Sequence, residues 1–186
     1  RAGMDIRKAM AEAQEKARSE SGAIISIGIG INTGPVVFGS VGARDRMDFT
    51  SIGDTVNLAA RLEGANKTYG TKSLITEAVY EQVKDVFLCR EIDLMTVKGK
   101  RVPVRIYEVL QLKADAPVRV RHVKEGFEAG LKAYRARRWQ AARKLFSGVH
   151  DAYDDEASAI FLKRVEVFER NPPPDDWDGV FNMTVK

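Results

Sequence analysis

The segment R46-MDFTSIGDTVNLAARL-E63 determines how the first two-thirds of the chain is organised. It opens with a run rich in β-formers, residues 47–52, which predicts a short strand. Residues 53–55, Gly-Asp-Thr, then break the strand and offer two side chains that can cap a helix. From there the apolar residues recur at helical spacing, at Val56, Ala59, Ala60 and Leu62. The segment therefore predicts a strand, a tight turn and a helix.

Two polar residues of this predicted helix share one face. Asn57 and Arg61 are four residues apart, so their side chains lie one turn apart near the helix N-terminus. A neutral donor and a fixed positive charge in this place suit a polyphosphate that undergoes reaction. The spacing alone leaves an alternative open, a solvated helix face on which the arginine pairs with a glutamate.

The composition is ordinary for a globular protein. Of the 186 residues, 44% are hydrophobic and 30% are charged, with a formal net charge of +4. Acidic residues are interleaved with basic ones along the chain, which argues against a nucleic-acid-binding protein. The basic residues do cluster at 98–101 and at 135–138, and the second cluster is expected to be a solvated helix face. The single cysteine, Cys89, excludes a disulfide framework and a cysteine-rich metal site, and its apolar neighbours predict a buried packing residue. No apolar run is long enough to span a membrane, and no signal peptide is visible.

The elements before the central segment are predicted from apolar runs and turn residues. We expect a helix over 1–20 and an apolar strand over 23–31, in which Gly28 and Gly30 let another backbone or a ligand approach closely. After a turn at 32–35, a second strand over 36–41 is expected to form a hairpin with the first, and a second hairpin loop at 42–46 leads into the central segment. The glycine spacing in 28–34 does not fit a dinucleotide loop, because a strand and not a helix follows it.

The elements after the central segment complete a sheet and then change to helix. We expect a loop over 64–71, strands over 73–76, 87–97 and 102–110, a short helix over 77–83 and a basic turn at 98–100. This order predicts an α+β fold, an α/β sandwich with a mixed or antiparallel sheet. A linker over 114–121 separates this unit, 1–113, from a helical unit, 122–186. The helices of that unit are expected over 122–137, 139–152 and 156–170, and Trp177 and Phe181 are expected to pack back onto the body.

Three segments carry a resemblance to a known family. IGIGINTGPVVFGSVG at 27–42, DFTSIGDTVNLAARLE at 48–63 and VKGK at 97–100 resemble, in that order, the second half of a class III nucleotidyl cyclase catalytic domain. The resemblance implies a ferredoxin-like α/β sandwich, present here in part. The C-terminal helices resemble a tetratricopeptide-like helix pair with an added helix, and the tail PPPDDWDGVF looks like tails that follow such domains in bacterial proteins.

The resemblance implies an activity and places residues in it. These enzymes convert a nucleoside triphosphate to a 3′,5′-cyclic monophosphate and pyrophosphate, as dimers with the active site at the subunit interface. Asn57 matches the asparagine that orients the ribose, and Arg61 matches the arginine that stabilises charge on the α-phosphate. Lys98 matches a lysine that contacts the triphosphate. Thr50 lies where the family recognises the base, and threonine there favours ATP over GTP. The implied protein is a cytoplasmic adenylate cyclase that acts as a homodimer, with a possible membrane anchor upstream.

One part of the family pattern is missing. The family holds two Mg²⁺ or Mn²⁺ ions with two aspartates from the first half of the domain, and no carboxylate pair here matches those motifs. Asp54 lies at a helix start, where capping is its simpler role. We therefore expect a fragment that is inactive alone. The alternative is a non-catalytic, cyclase-derived dimerisation module that regulates a partner.

Overall fold

The computed structural model describes residues 2–21, 27–43, 46–96 and 103–182. The helices are α1 (Ala2–Ser21), α2 (Asp54–Tyr69), α3 (Glu77–Val83), α4 (Val118–Arg135), α5 (Trp139–Tyr153) and α6 (Glu156–Arg170). The strands are β1 (Ile29–Ile31), β2 (Val37–Ala43), β3 (Arg46–Ile52), β4 (Ser73–Thr76), β5 (Phe87–Thr96), β6 (Val104–Leu112) and β7 (Phe181–Asn182). The sequence predicted the bounds of β4 and α3 correctly, since turn residues delimit both.

Five strands form the central sheet in the order β1-β4-β6-β5-β7. β1 runs parallel to β4, while β4 and β5 both run antiparallel to β6. β7 adds a short parallel pairing to β5, with Phe181 opposite Met95. The sheet is therefore mixed, one of the two alternatives that the sequence left open.

The expected hairpin between the first two strands is wrong. Within the described residues β1 pairs with β4, where Ile29 lies opposite Ser73, and β2 pairs with β3, where Val37 lies opposite Ile52. Nearness in the chain favoured the hairpin, but β1 is drawn into the central sheet. β2 and β3 form a separate two-stranded antiparallel ribbon. Residues 23–26 of the expected first strand lie outside the described residues.

The two faces of the central sheet carry different cores, because neighbouring strand residues point to opposite sides. Leu74 and Ile106 belong to the larger core, formed with α2, α4, α5 and α6. Ile75 and Tyr107 belong to a smaller core beneath α3, together with Cys89. Cys89 is buried, as predicted. The C-terminal helices thus share one hydrophobic core with the sheet and with α2.

Aromatic residues dominate the part of the core between the C-terminal helices. Phe127, Phe146 and Phe161 have no exposed surface. Their rings contact one another with centroids 5.2 to 5.3 Å apart. Burying each side chain contributes about 1.5–3 kcal/mol of transfer free energy. Trp177 packs against this region, 5.4 Å from the Tyr134 ring, as the sequence predicted.

Two predicted boundaries are wrong. The segment 64–71, expected as a loop, continues α2 as far as Tyr69, because the buried side chains of Ala65, Asn66 and Tyr69 extend its apolar face. The helix ends at Gly70, whose φ of 63° is the left-handed C-cap conformation. The first C-terminal helix, expected from residue 122, also begins earlier, since α4 starts at Val118, directly after Pro117.

Candidate active site

The helix α2 begins at a turn that only glycine adopts readily. Gly53 is the N-cap residue with φ 150° and ψ 164°, a backbone region nearly closed to other residues. Its carbonyl accepts hydrogen bonds from the backbone N–H groups of Val56 and Asn57, both at 3.1 Å. No side chain caps the helix, so the expected capping by Asp54 or Thr55 is wrong. Asp54 is instead the first helical residue, where its charge suits the positive end of the helix dipole.

The middle of α2 lies directly on β1. A Cβ built at Gly30 would lie 2.1 Å from the carbonyl oxygen of Ala59 and 2.4 Å from the amide nitrogen of Glu63. No other residue type fits at that distance, so the predicted close approach at Gly30 is made by the α2 backbone. Asn66 adds a hydrogen bond of 3.1 Å from its Nδ2 to the carbonyl of Ile29. These contacts fix α2 against the edge of the central sheet.

A second asparagine holds the first turn of α2. Asn32 donates from Nδ2 to the carbonyl of Thr55 at 3.1 Å, and it accepts a hydrogen bond of 2.8 Å from the Thr76 hydroxyl. The loop after β1 is thereby joined both to the start of α2 and to the end of β4. The beginning of the helix is held by neighbouring elements although no side chain caps it.

Asn57 and Arg61 lie on the exposed face of this fixed helix. Leu58 and Leu62 alternate with them and are buried in the core, whereas Asn57 and Arg61 are both exposed. The structure thus brings these two predicted residues together on one helix face, one turn apart. An amide and a guanidinium in this arrangement can bind a sugar hydroxyl and a phosphate oxygen.

Of the other two predicted substrate contacts, Thr50 and Lys98, only Thr50 lies within the described residues. Thr50 is exposed on β3, opposite Gly39 of β2. A Cβ built at Gly39 would have no other atom within 4 Å, so there is open space beside Thr50. Lys98, with the VKGK segment, lies outside the described residues.

The β2–β3 hairpin carries exposed apolar side chains on both of its faces. Val37 is 71% exposed, Phe38 64%, Phe49 75% and Ile52 49%. The rings of Phe38 and Phe49 stack on one face of the hairpin with centroids 6.4 Å apart. Large apolar groups that are left together in solvent indicate an interaction surface.

The described residues contain no cluster of metal ligands. In 2–21, 27–43, 46–96 and 103–182, no three His, Cys, Asp or Glu side chains come together as a metal site. The described carboxylates therefore do not fit the two metal ions that the family resemblance implies.

No helix of the described residues combines the length and the apolar content that a membrane crossing requires.

Comparison with known proteins decides the family. The family model named "Adenylate and Guanylate cyclase catalytic domain" matches residues 2–111, more than half of the chain. The chain belongs to this family. The resemblance drawn from the three sequence segments is confirmed at this level, while the assignment to the second half of the domain stays a prediction.

Three similar curated proteins are adenylate cyclases by name. Over 81 residues the chain is 49% identical to adenylate cyclase 1 of Rhizobium meliloti, covering 44% of this chain and 12% of that protein. Over 88 residues it is 50% identical to an adenylate cyclase of Anabaena cylindrica, covering 46% and 18%. Over 145 residues it is 34% identical to the terminal-differentiation-specific adenylate cyclase of Dictyostelium discoideum, covering 75% and 7%. The chain spans less than a fifth of each of these relatives.

Solved structures confirm the mixed α+β fold. The adenylyl cyclase CyaB from P. aeruginosa is 38% identical with a TM-score of 0.54, covering 62% of this chain and 58% of that one. The guanylyl cyclase Cya2 is 28% identical with a TM-score of 0.50, covering 61% and 56%. Because cyclases named for different nucleotides share the fold, the fold does not select between ATP and GTP.

Sequence reasoning missed the residues that position the helix. Asn66 was assigned to a loop, and no role was assigned to Asn32 or Tyr69. A signal was present for two of them, since Leu62, Asn66 and Tyr69 continue the helical spacing of the buried face. The contacts of Asn32 depend on elements that are distant in sequence, and no local pattern marks them.

Proposed function

We propose that the chain is the catalytic part of an adenylate cyclase that converts ATP to 3′,5′-cyclic AMP and pyrophosphate. The observation that carries the proposal is the pair Asn57 and Arg61, exposed one turn apart on a helix that β1 and Asn32 hold in place. The family supports the reaction class. The names of the three relatives support adenylate over guanylate.

In the proposed reaction the 3′-hydroxyl oxygen attacks the α-phosphorus. A new oxygen–phosphorus bond forms and the hydroxyl proton passes to water, while the bond to the bridging oxygen of the β-phosphate breaks and pyrophosphate leaves. Asn57 orients the ribose by hydrogen bonding. Arg61 stabilises the negative charge that develops at the α-phosphate, since a guanidinium stays protonated and offers donors in a planar fork. The family reaction uses divalent metal ions, and the described residues of this chain supply no binding site for them.

Thr50 is the residue we propose for base recognition. Its exposed hydroxyl lies beside the open space over Gly39, where the edge of a base has room. A threonine hydroxyl can donate to one ring atom and accept from an exocyclic amine, as adenine requires. Lys98 is proposed as a contact to the triphosphate on the resemblance of VKGK alone.

We propose that the hairpin contacts a second copy of the chain. Val37 and Ile52 present apolar surface on the face of the hairpin that carries Thr50, and Phe38 and Phe49 present it on the opposite face. β3 of this hairpin leads into α2. A partner seated there would lie beside the proposed site. A homodimer in which the interface and the active site adjoin is the arrangement that the resemblance implies.

The test is cyclic AMP production from ATP with Mg²⁺ or Mn²⁺. The chain is assayed beside a longer protein that also carries the metal-binding half of the family's domain. We expect activity where those aspartates are present, and loss of activity in Asn57→Ala and Arg61→Ala. Removing Arg61 should raise the barrier by about 3–4 kcal/mol, as removal of an oxyanion-hole donor does.

The matched control for Arg61→Ala is Lys67→Ala. It removes a positive charge from the exposed surface of the same helix, away from the Asn57 face, and should leave activity unchanged. Equal losses in both variants would contradict the assignment of Arg61. Absence of activity in both proteins would favour the non-catalytic dimerisation module instead. Activity of the chain by itself would show that other carboxylates bind the metal ions.

A further inference from the structure

A buried polar network joins the end of α2 to the last long helix of the chain. The hydroxyl of Tyr69, on α2, donates to Oδ2 of Asp93, on β5, at 3.0 Å. Arg164, on α6, donates from Nη1 to the same oxygen at 2.7 Å, across 71 residues of sequence. The guanidinium carbon of Arg164 also lies 4.9 Å from the centre of the Tyr69 ring. One carboxylate oxygen therefore links the two helices.

The network lies inside the core and not at its rim. Tyr69 and Asp93 have no exposed surface, and the Arg164 side chain is 12% exposed. Burial lowers the pKa of Arg164, but the attraction of Asp93 outweighs it, so the pKa is raised and the charge is held. A buried charge without its partner is costly, so the geometry of these three groups is tightly specified.

Packing next to the network brings the same two helices together. Gly70, which ends α2, lies against the first turn of α6: a Cβ built there would be 2.8 Å from Cβ of Glu156 and 3.1 Å from Cδ1 of Ile160. The C-terminal end of α2 thus contacts α6 at Gly70 and is joined to β5 by the Tyr69 hydroxyl. The helix also contacts β1, β4 and β3.

We propose that Arg164 is a positioning residue, through which the C-terminal helices anchor α2 and set where Asn57 and Arg61 stand. Arg61 and Tyr69 are eight residues apart on one continuous helix, about 12 Å at a rise of 1.5 Å per residue. β1 holds the side of the helix as far as Asn66, and the anchor formed by Tyr69, Asp93 and Arg164 holds its last residue. The catalytic consequence rests on the proposed function, whereas the anchor itself does not.

The anchor is tested by hydrogen exchange, which needs no activity. Tyr69→Phe keeps the ring and removes the hydroxyl, and Arg164→Lys keeps the charge but not the planar fork. We expect the amides of α2 to exchange about tenfold faster in Tyr69→Phe, the equivalent of one lost hydrogen bond, while those of α5 keep their rate. Unchanged exchange in α2, or an equal increase in α2 and α5, would overturn the proposal.

The effect on catalysis is tested by steady-state kinetics in whichever of the two assayed proteins makes cyclic AMP. We expect kcat in Tyr69→Phe and Arg164→Lys to fall about tenfold with KM for ATP unchanged, because small displacements of an oriented group act on the transition state. A rise in KM at constant kcat would contradict positioning. If the wild type makes no cyclic AMP, the proposed function fails while hydrogen exchange still decides the anchor.

Two control variants separate positioning from loss of stability. Asp155→Asn alters another buried ion pair of α6, with Arg90 of β5 at 2.9 Å, that includes no residue of α2. Asp155→Asn should lower the urea concentration at the unfolding midpoint and leave kcat unchanged. Glu169→Gln breaks an exposed pair with Arg143 between α5 and α6, and it should change neither quantity. If kcat follows the unfolding midpoint across all four variants, Arg164 is only structural and the proposal falls.

Discussion

The β2–β3 hairpin and the C-terminal helices place their aromatic side chains in opposite environments. Phe49 of the hairpin is 75% exposed, whereas Phe161 of α6 has no exposed surface. Both regions contain phenylalanine, so composition does not distinguish them. The helices find their apolar partners within the chain. The hairpin leaves its own side chains available, and we infer that a second copy covers them.

The largest expected effect separates the two regions by stability. Phe161→Ala should lower the free energy of unfolding by about 3–5 kcal/mol, because it removes a fully buried ring and leaves a cavity between α4, α5 and α6. Phe49→Ala should change that free energy by less than about 0.5 kcal/mol, as exposed substitutions do. Urea unfolding of both variants, at a concentration where the protein is monomeric, measures the difference.

Equal losses of unfolding free energy in Phe161→Ala and Phe49→Ala would contradict this difference between the helices and the hairpin. They would mean that the hairpin is folded into the core of the single chain. A loss in Phe161→Ala alone would leave the hairpin as a surface whose apolar groups add little to the stability of one copy.

The next effect concerns association. Phe49→Asp should weaken the proposed dimer at least about tenfold, or about 1.4 kcal/mol, since a carboxylate would replace apolar contact at its centre. Sedimentation velocity over a range of concentrations measures it. The matched control is Val167→Asp on α6, an apolar residue that is 55% exposed in the other region. If both variants, or neither, change the sedimentation behaviour, the hairpin is not the interface.

A smaller effect tests the face of the hairpin that carries Thr50. Thr50→Val keeps the shape of the side chain and removes the hydroxyl. The ratio of kcat/KM for ATP to that for GTP should fall about tenfold, the equivalent of one hydrogen bond to the base. Phe49→Ala, on the opposite face of the hairpin, should leave this ratio unchanged at a concentration that maintains the dimer. An unchanged ratio in Thr50→Val would remove Thr50 from base recognition.

The sequence predicted the elements of both regions better than it predicted their environments. β3, β4 and α3 follow from local runs and the glycine, proline and polar residues between them. The hairpin of the first two strands was wrong, because the parallel pairing of Ile29 with Ser73 depends on a distant strand. The second hairpin is confirmed by the antiparallel pairing of β2 with β3. The length of α2 was missed because Gly64 looked like a helix end, whereas it lies on the exposed face of the helix and tolerates solvent.

For the candidate site too, the sequence predicted the local features and missed the contacts between distant elements. Asn57 and Arg61 could be placed on one helix face by spacing alone, and the structure shows that face exposed. The contacts that hold the helix could not be predicted, since Asn32, Asp93 and Arg164 reach it from elements far along the chain. Gly28 and Gly30 gave a local signal for the approach of α2, and sequence alone could not say whether a backbone or a ligand approached them. The roles of Asn57, Arg61, Thr50 and Lys98, and the domain boundary, stay predictions.

The smallest effect concerns acid, and it should appear in the helices and not in the hairpin. Burial raises the pKa of Asp155, but Arg90 outweighs it and holds the pKa below its ordinary value. A carboxyl group with a lowered pKa contributes stability that is full above its unfolded value, about pH 4, and is lost as the pH falls through the folded value. Asp155→Asn removes this contribution and keeps a side-chain oxygen that can cap α6.

The measurement is the urea midpoint of wild type and Asp155→Asn between pH 7 and pH 3. The wild type should be the more stable at pH 7, and the difference should narrow below about pH 4. Other carboxylates are common to both proteins, so the difference isolates Asp155. A difference that stays constant with pH would mean that the charge of Asp155 adds nothing, and the helices would then be held to the sheet by their apolar contacts and by the pair of Arg164 with Asp93.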